Sequence, residues 1–546
     1  MQTSIDALMP YSVRETSVMS SESFVPPGAR NQTEVFAVHG ADPEVLAYAM
    51  AKYSRSSLSM RESLTEISSQ RAEQFLNTFY FEYGHRSIAD LAHIAFAVER
   101  LSLLAAIVLV DEQRWDGQER STRYQNFLKS GWYFPEFGQD SDSAQLYVKT
   151  IENLYAAYQR TTTAVLNVLR SHIACPESLK PEAYERTLKA RAFDVARYLL
   201  PLATNTSLGQ IVNARTLETQ VSRLFGSSLA EVRDLGLKLR DAATGQAWNV
   251  NARAAQAFVD KLTDPELASQ AANLLTREVR TAPTLVKYAQ PNDYELKTRA
   301  ELTQAASDLF GDVPIDEAPL VDLVERTESL EVELAATLIY SASHHSYRQI
   351  RDLLSGFPAA QISEIIELGL RHRGKHDEAL RAFHAGAALR FDILMDIGGF
   401  RDMHRHRRVT QIIQPFTNIH GYETPESGDL GKDVEILREA GVLAEFQEAI
   451  EQAHQASAQI AASLKREQYE DQALYLLPLA TRIRSLFKMD FAEAQYISEL
   501  RSAPAGHFSY RRVAWEMFLA LEVQHPTLAR HIRVTDFTKP IDLLQR

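Results

Sequence analysis

The seven letters YLLPLAT occupy residues 198–204 and return unchanged at residues 475–481 of this 546-residue chain. A chance repeat of that length is very improbable in a chain of this size. A shorter echo follows each occurrence, because Pro-Thr-Leu at 283–285 recurs at 526–528. Self-similarity of this kind indicates two copies of one domain in tandem.

The bulk composition predicts an ordinary globular protein. Hydrophobic residues make up 45% and charged residues 24% of the chain, and its length allows two or more domains with cores of their own. The net charge of -13 argues against a broad nucleic-acid-binding surface. No stretch approaches the roughly 20 apolar residues of a membrane span, and the first residues lack the features of a signal peptide. We therefore expect a cytoplasmic protein that binds neither membranes nor nucleic acids.

The single cysteine, Cys175, excludes an intramolecular disulfide and any cysteine-based zinc site. His172 lies three residues upstream and could lower the thiol pKa, but no surrounding motif completes a nucleophilic site. We expect Cys175 to be an inert residue at a helix end. No metal is expected at His404 and His406 either, because the neighbouring arginines would repel a dication.

The repeat also sets the predicted domain boundaries. Residues 1–35 are polar and predict a loose N-terminal arm, 36–290 a first domain and 291–546 a second. The two repeated motifs start 85 residues apart in the first copy and 51 in the second, which predicts an insertion of about 30 residues within 230–265.

Local patterns predict a helix-rich protein with limited sheet, since Ala, Leu, Glu and Gln are abundant. Residues 89–110, dense in Leu, Ile and Val, predict a strand that leads into a buried helix. Residues 146–172 predict a long amphipathic helix, and residues 217–243 predict another.

Two stretches concentrate residues that can hold an anion. Residues 119–124 read Glu-Arg-Ser-Thr-Arg-Tyr, and arginine pairs bidentately with phosphate while serine adds a donor. Residues 404–408 read His-Arg-His-Arg-Arg and follow an apolar segment, which predicts a basic loop on an ordered core. A solvated surface is the alternative interpretation of both stretches.

The two copies differ directly before the repeated stretch. Arg197 precedes the first YLLPLAT, whereas Leu474 stands at the same place before the second. An arginine in one copy and a leucine in the other indicate a polar site that is kept on one side only.

Four motifs of the first copy together resemble the flavin-dependent thymidylate synthases. In chain order they are Gly84-His85-Arg86-Ser87, Glu119-x-Ser121-x-Arg123-Tyr124, Ala196-Arg197-Tyr198-Leu199-Leu200-Pro201 and Asn213-Ala214-Arg215. A more distant resemblance of the second copy is anchored by Arg405-His406-Arg407 and Leu477-Pro478-Leu479. The resemblance implies an α+β fold of two tandem helix-rich domains, each with a small antiparallel sheet.

The signature of that family is Arg-His-Arg followed, after seven residues, by Ser, and neither copy contains it whole. Counting back from the serine of the first copy puts Asp-Glu-Gln at 111–113, where Arg-His-Arg belongs. Counting forward from the Arg-His-Arg of the second copy puts Pro415 where the serine belongs. Arg501 of the second copy likewise has Leu224 as its counterpart in the first. These complementary losses predict one active site divided between two unequal halves.

The resemblance implies roles for particular residues. The nucleotide dUMP would be held by Glu119, Ser121, Arg123, Arg197, Arg405 and Arg501. The cofactor FAD would be held by Ser87, Glu119, Asn213, Arg215, Arg405, His406 and Arg407. Arg501 is the expected catalytic residue, since a cation beside the pyrimidine stabilises negative charge that develops on the ring.

The implied reaction is methylation of dUMP to dTMP, with methylenetetrahydrofolate as one-carbon donor, FAD as cofactor and NADPH as reductant. The family is homotetrameric, so a homodimer of this fused chain is the expected assembly. Two alternatives stay open: a degenerate, non-catalytic paralogue that binds flavin or nucleotide, and a related methylase that acts on another pyrimidine nucleotide.

Overall fold

The computed structural model describes residues 41–52, 86–287, 289–374, 377, 379–423, 433–465 and 470–544. The predicted N-terminal arm at 1–35 lies outside these residues, and so does the side chain of Ser87. We refer to residues 36–290 as the first half and to residues 291–546 as the second half.

Two small antiparallel sheets, one in each half, organise the fold. Their strands are β1 His93–Ser102, β2 Asp116–Glu119, β3 Asn205–Asn213, β4 Val321–Leu323, β5 Leu389–Asp396, β6 Thr410–Ile413 and β7 Arg482–Met489. The first sheet has the order β1-β3-β2 and the second the order β4-β5-β7-β6. Strands β3 and β7 begin directly after the two YLLPLAT stretches and pair with a neighbour on each side. The second sheet therefore repeats the first and adds β4 at one edge.

Helices account for most of the other regular structure. In the first half they are α1 Pro43–Lys52, α2 Leu103–Leu109, α3 Ser141–His172, α4 Pro181–Ala196, α5 Ala214–Phe225, α6 Ala230–Thr244, α7 Ala252–Val259 and α8 Pro265–Leu275. In the second half they are α9 Asp293–Phe310, α10 Leu330–Tyr340, α11 Tyr347–Ser355, α12 Ala359–Leu370, α13 Ile397–Met403, α14 Asp433–Glu439, α15 Leu443–Leu464, α16 Phe491–Ser502, α17 Phe508–Gln524 and α18 Pro526–Ala529. Within the part of the chain that the structure describes, none of these combines the length and apolar character needed to cross a bilayer.

The two YLLPLAT stretches pair with each other, antiparallel, where the halves meet. Pro201 lies opposite Pro478. The Leu202 N–H donates to the Leu477 carbonyl over 2.9 Å, and the equivalent bond in the opposite direction is also 2.9 Å. The two prolines face each other at a position where neither residue donates a hydrogen bond to the other strand. Neither proline therefore needs an N–H there.

Each stretch is also bonded to its own half. The Thr204 and Leu202 carbonyls accept from the first two N–H groups of α2 at 2.9 and 3.1 Å, and α13 makes the equivalent bonds at 2.9 and 3.0 Å. Every residue of both stretches is buried. Buried backbone groups cannot bond to water, so these protein bonds are required. The pairing is therefore the seam between the halves and part of the hydrophobic core.

Helices α3 and α15 pack together across the same boundary. Asp140, which caps α3, contacts Ser463 near the end of α15. At the other end of α3, His172 Nε2 lies 2.8 Å from Glu439 Oε1. His172 thus contacts the second half, and Cys175 is exposed beyond the helix end.

The second sheet carries buried charges on the face that packs against α10–α12. Lys488 Nζ donates to Glu333 Oε1 over 3.0 Å, and Arg484 Nη1 donates to Asp392 Oδ2 over 3.0 Å. The corresponding face of the first sheet is open, as the 53% exposure of Ile211 shows. The halves share a topology but differ in what covers their sheets.

The extra residues of the first half form a helical insertion closed by an antiparallel bridge. Gln246 pairs with Arg280, and the Ala247 N–H donates to the Val279 carbonyl over 2.7 Å. Helices α7 and α8 lie between these ends and contain no buried residue. The structure therefore places the insertion at 247–279, later than the predicted range, because 230–244 forms α6, the counterpart of α17.

Replacing Leu199 or Leu476 with alanine is expected to destabilise the protein by similar amounts, about 3 kcal/mol each. Both leucines occupy the second position of the repeated stretch and are fully buried. Leu237→Ala, at a side chain that is 42% exposed on α6, is the control and should cost less than about 1 kcal/mol. Urea unfolding monitored by circular dichroism measures the three. A large inequality between the two buried substitutions contradicts the symmetric seam.

Candidate functional site

Charged and polar side chains from both halves converge beside the paired stretches. We call this set the interface cluster, and its members are Glu119, Arg123, Asp194, Arg197, Arg401, Asp402, Arg405, His406, Arg501 and Tyr510. The first half supplies them from β2, the turn after β2 and the end of α4. The second half supplies them from α13, the loop after α13, and helices α16 and α17.

Arg123 connects the two halves inside the cluster. Its Nε and Nη2 donate to the two carboxylate oxygens of Asp194 at 2.7 and 3.1 Å, and Nη1 donates to the Tyr510 hydroxyl at 2.8 Å. Nη2 also donates to the Ala505 carbonyl at 3.1 Å. Burial would lower the pKa of Arg123, but Asp194 raises it further, so the guanidinium stays charged. Most of its donors are therefore occupied by protein groups.

Arg197 is buried but incompletely paired. Its side chain is 1% exposed, and Nη1 donates to Asp402 Oδ2 over a long 3.5 Å. Among the described residues, its Nε and Nη2 have no hydrogen-bond partner. These two nitrogens form the guanidinium edge that binds carboxylate or phosphate through two parallel bonds. A buried charged donor without an acceptor is costly, so this edge indicates a place for an anionic ligand.

The unpaired edge of Arg197 faces Gly398 in the first turn of α13. A methyl group on Gly398 would lie 3.5 Å from both Nε and Nη2 of Arg197, and 3.1 Å from Asp396 Oδ1. The glycine therefore leaves space between the guanidinium and that carboxylate.

Asp402 stands among several guanidinium groups. Burial would raise the pKa of Asp402, but Arg197, Arg405, Arg123 and Arg501 outweigh it, and the pKa falls below its ordinary value. The carboxylate therefore stays ionised and partly neutralises the cluster.

A chain of hydrogen bonds orients Arg501. Its Nε donates to His406 Nε2 at 2.8 Å, and its Nη2 donates to the Asp402 carbonyl at 2.7 Å. Because Nε2 of His406 accepts, the ring proton is assigned to Nδ1, which lies 3.3 Å from Glu493 Oε1. Burial lowers the pKa of His406, which favours this neutral form.

The cluster reaches solvent on the side of Arg405, which is exposed. Tyr496, 54% exposed, packs edge-on against His406 with ring centroids 5.7 Å apart. The exposed ring of Tyr124 lies 5.7 Å from the Arg123 guanidinium. A rim of cations and aromatic rings suits a planar ligand that carries negative charge.

Glu119 and Ser121 take supporting positions. Glu119, at the end of β2, forms an ion pair with Arg401 on α13. The Ser121 hydroxyl accepts the Arg123 N–H at 3.2 Å and so shapes the turn that presents Arg123. Glu119 thus joins the two halves directly, and Ser121 acts only through Arg123.

Three side chains that were expected at the flavin are engaged elsewhere. Asn213 caps α5 by accepting a backbone N–H at 2.8 Å, and Arg215 pairs with Asp90 at 3.4 Å. Arg407 lies 5.0 Å from the ring of Trp115. Helix capping, ion pairing and stacking thus give these three side chains local contacts outside the interface cluster, and their contacts with FAD stay a prediction.

Both halves of the chain match the same protein family. The sequence model of the family described as thymidylate synthase complementing protein matches residues 37–247 and 322–527. The chain belongs to this family. It carries the family domain twice, in an α+β fold that is rich in helix.

Several relatives match at low identity. A UPF0159 protein of Chlamydia muridarum is 27% identical over 532 residues, covering 91% of each chain. A UPF0159 protein of Thermoplasma acidophilum is 22% identical over 524 residues, covering 89% of this chain and 94% of its own. A flavin-dependent thymidylate synthase of Clostridium tetani is 26% identical over 177 residues, covering 32% of this chain and 67% of its own.

Solved structures also match. The flavin-dependent thymidylate synthase ThyX of Helicobacter pylori, crystallised with FAD and dUMP, is 19% identical and covers 37% of this chain and 89% of its own. The TM-score of that match is 0.25.

On the other side of the seam, the positions that correspond to four charged residues of the interface cluster are uncharged. They are Leu474 for Arg197, Leu224 for Arg501, Thr417 for Arg123 and Val108 for Asp402, whereas Asp111 corresponds to Arg405. The motif residues that are missing from each copy therefore correspond to positions on this side of the seam.

In the first family domain, Asp-Glu-Gln at 111–113 stands where the Arg-His-Arg of the signature is missing. Ion pairs within the protein fill this place. Asp111 pairs with Arg381 at 2.6 Å, and Glu112 pairs with Arg223 at 2.8 Å. The cavity between these groups and their neighbours measures about 10 Å³. That volume holds about one water molecule, so no nucleotide fits there as the structure stands.

The groups beside Arg197 accommodate its guanidinium and oppose its positive charge. The second half faces it with Gly398 and the carboxylate of Asp396. Around the leucine that replaces Arg197 in the other family domain, the corresponding positions are Leu104 and Ser102. Arg197 thus faces a glycine and a carboxylate, whereas Leu474 has a leucine and a serine at the corresponding positions.

Asp396 is a buried carboxyl group next to this space. It accepts the Gly399 N–H at 2.6 Å and the hydroxyl of Ser509. Burial raises the pKa of Asp396 to about 6, although Arg197 acts in the opposite direction.

Asp396 is expected to make stability depend on pH. Its folded-state pKa is about 6, against about 3.9 in an unfolded chain, so the folded state binds the proton more tightly. Its contribution to the free energy of unfolding is therefore largest below about pH 4 and falls by about 3 kcal/mol as the pH rises to 7. Asp396→Asn should remove this slope, whereas Asp241→Asn, at an exposed side chain, should keep it. Urea titrations across this range measure the slope, and persistence of the wild-type slope in Asp396→Asn contradicts the assignment.

Proposed function

We propose that this chain methylates dUMP to dTMP, with FAD as cofactor and methylenetetrahydrofolate as one-carbon donor, at one composite site between its halves. The observation that carries the proposal is the buried, unpaired edge of Arg197, which faces Gly398 of the other half across a gap that one methyl group would fill. Membership of the family supports the reaction class. On this proposal residues 36–290 and 291–546 are the two cooperating domains.

The charge of the interface cluster suits a nucleotide monophosphate. Four guanidinium groups surround Asp402, and Asp194 and the Asp396 carboxylate, ionised above its pKa of about 6, lie among them, which leaves a net charge of about +1 at neutral pH. A phosphate monoester carries up to about two negative charges at neutral pH. Arg197 offers it a paired set of donors, and Arg405 offers a second cation at the solvent side.

Arg501 is the proposed catalytic cation. His406 and the Asp402 carbonyl fix its direction, and Tyr510 lies 5.4 Å from its guanidinium. A positive charge that is already oriented stabilises negative charge developing on a pyrimidine ring without reorganisation at the moment of reaction. The cluster thus provides binding through Arg197 and charge stabilisation through Arg501.

FAD, when bound, would supply the redox chemistry. Arg405 and the exposed ring of Tyr496 fit it best, because one can pair with a phosphate and the other can pack against a ring. His406 lies behind them and keeps Arg501 in place. Ser87 stays a proposed contact, and NADPH and methylenetetrahydrofolate are the proposed co-substrates.

A non-catalytic flavin- or nucleotide-binding protein is the second candidate. The contacts of Arg123 favour it, since this arginine already serves Asp194, Tyr510 and the Ala505 carbonyl. Growth of a thymidine-requiring bacterial strain separates the candidates. Rescue by the wild-type chain but not by Arg501→Gln supports the synthase, whereas soluble wild-type protein that binds FAD and dUMP without rescue supports the binding protein.

Arg405→Ala is expected to weaken FAD binding by about 10- to 100-fold, because a charged hydrogen bond to phosphate is lost. The matched control is Arg408→Ala, which removes an exposed cation of the same loop that pairs with Asp490 at 2.9 Å. It should change the affinity by less than about 3-fold. Quenching of flavin fluorescence measures both. Colourless wild-type protein that takes up no added FAD rejects the flavoenzyme.

Arg197→Leu, which copies the residue of the other domain, is expected to lower dUMP affinity by about 100-fold. The free energy of unfolding should fall, because the buried carboxylates of Asp402 and Asp396 lose a neighbouring cation, so circular dichroism must first confirm that the variant is folded. Gly398→Ala keeps the charge but places a methyl group 3.5 Å from the same edge, and should also weaken dUMP binding. Calorimetric titration with dUMP measures the affinities. Wild-type affinity in Arg197→Leu would rule out the proposed nucleotide site.

A further inference from the structure

A second polar cavity lies in the first half, where the insertion leaves the family domain. Its volume is about 440 Å³. The residues that line it are Arg240, Thr244, Arg280, Pro283 and Lys287. Pockets for small organic ligands begin at about 300 Å³, so this cavity has room for one.

The walls of the cavity are held by backbone bonds. The Ala247 N–H donates to Val279 at 2.7 Å, and the Ala282 N–H donates to Ala243 at 2.9 Å. These bonds join the end of α6 to the chain that returns from the insertion. The cations of the lining are therefore carried on connected segments with a defined spacing.

The lining is positively charged. Arg240 contacts Asp241 at 3.4 Å, and Arg280 contacts Glu278 at 3.9 Å. Both carboxylates are more than half exposed, and such long surface pairs contribute little. Arg240 and Arg280 thus bring two weakly paired cations to one cavity, and Lys287, which has a polar contact of its own, completes the lining. Two such cations favour a ligand with two or more negative charges.

The basic lining belongs to the domain that carries the insertion. Counted from the residue before each helix, Arg240 and Thr244 on α6 correspond to Phe518 and Glu522 on α17. The second domain thus has an aromatic ring and a carboxylate where the first has a cation and a hydroxyl. The cations are therefore not a general feature of this helix.

The cavity lies at the end of α6 that is far from the seam. Glu231, at the start of α6, accepts from the Tyr475 hydroxyl of the other half at 2.8 Å. Thr244, at the end of α6, lines the cavity. A helix rises about 1.5 Å per residue, so roughly 20 Å separates the two ends.

We propose that this cavity binds a small, multiply charged anion through Arg240 and Arg280. Phosphate and carboxylate groups share the required chemistry, since both accept charge-assisted hydrogen bonds from these side chains. The proposal does not depend on the reaction at the interface cluster.

Calorimetric titration of the full chain with tripolyphosphate, and separately with the tricarboxylate tricarballylate, tests the proposal. Both titrations use the Arg197→Leu background, so that anions do not report on the other site. Binding with a Kd below about 1 mM is expected for at least one probe, and the preferred probe distinguishes phosphate from carboxylate ligands. Affinity should fall with added salt, because Arg280 is 60% exposed.

Variants locate the binding. Arg280→Ala and Arg240→Ala should each weaken it about 10-fold or more. Lys238→Ala removes a 72% exposed cation of the same helix that pairs with Asp234, and should change it by less than about 2-fold. Failure of both probes to bind, or equal affinity in Arg280→Ala and Lys238→Ala, overturns the proposal. The proposal is also overturned if Arg280→Ala lowers the thermal stability without weakening binding. The cations would then serve only to stabilise the helix.

Discussion

The antiparallel pairing of the two YLLPLAT stretches is the contact on which the rest of the structure depends. Every residue in it is buried, so each N–H and carbonyl must find a partner within the protein. The same sequence on both sides meets that demand, because the facing prolines need no donor and the leucines beside them exchange bonds. The pairing also brings Arg197, the residue before the first stretch, next to the start of α13.

The paired stretches are identical in sequence, but the residues on the two sides of the seam differ. On one flank four guanidinium groups surround Asp402, and on the other leucine, valine, threonine and the carboxylate of Asp111 take the corresponding places. Burying a guanidinium is costly unless charges or a ligand compensate it. Asp402, Asp396 and the space at Gly398 gather on the flank that holds Arg197. The asymmetry is therefore built from several matched positions, as expected of a place that receives an anion.

Local pattern in the sequence predicted some elements well. Residues 89–110 form β1 and α2 as predicted, because an apolar strand and helix are recognisable from neighbouring residues alone. The predicted helix over 217–243 is broken at Gly226, which ends α5.

Within the candidate site, Arg123 contacts Asp194, 71 positions along the chain, and Glu119 contacts Arg401, 282 positions along the chain. No local pattern reports such contacts. Comparing the two halves did identify Arg197, since the difference from Leu474 lies beside an anchored repeat.

Identical stretches at the seam have a consequence for assembly. Nothing in YLLPLAT itself distinguishes its own copy from the copy in another chain, so two separate domains would form like and unlike pairs together. Only the unlike pair would unite Arg197 with Arg501. Joining the domains in one polypeptide raises the local concentration of the correct partner, and the intramolecular pair then prevails over encounters between chains. Covalent linkage thus provides the selectivity that the repeated residues lack.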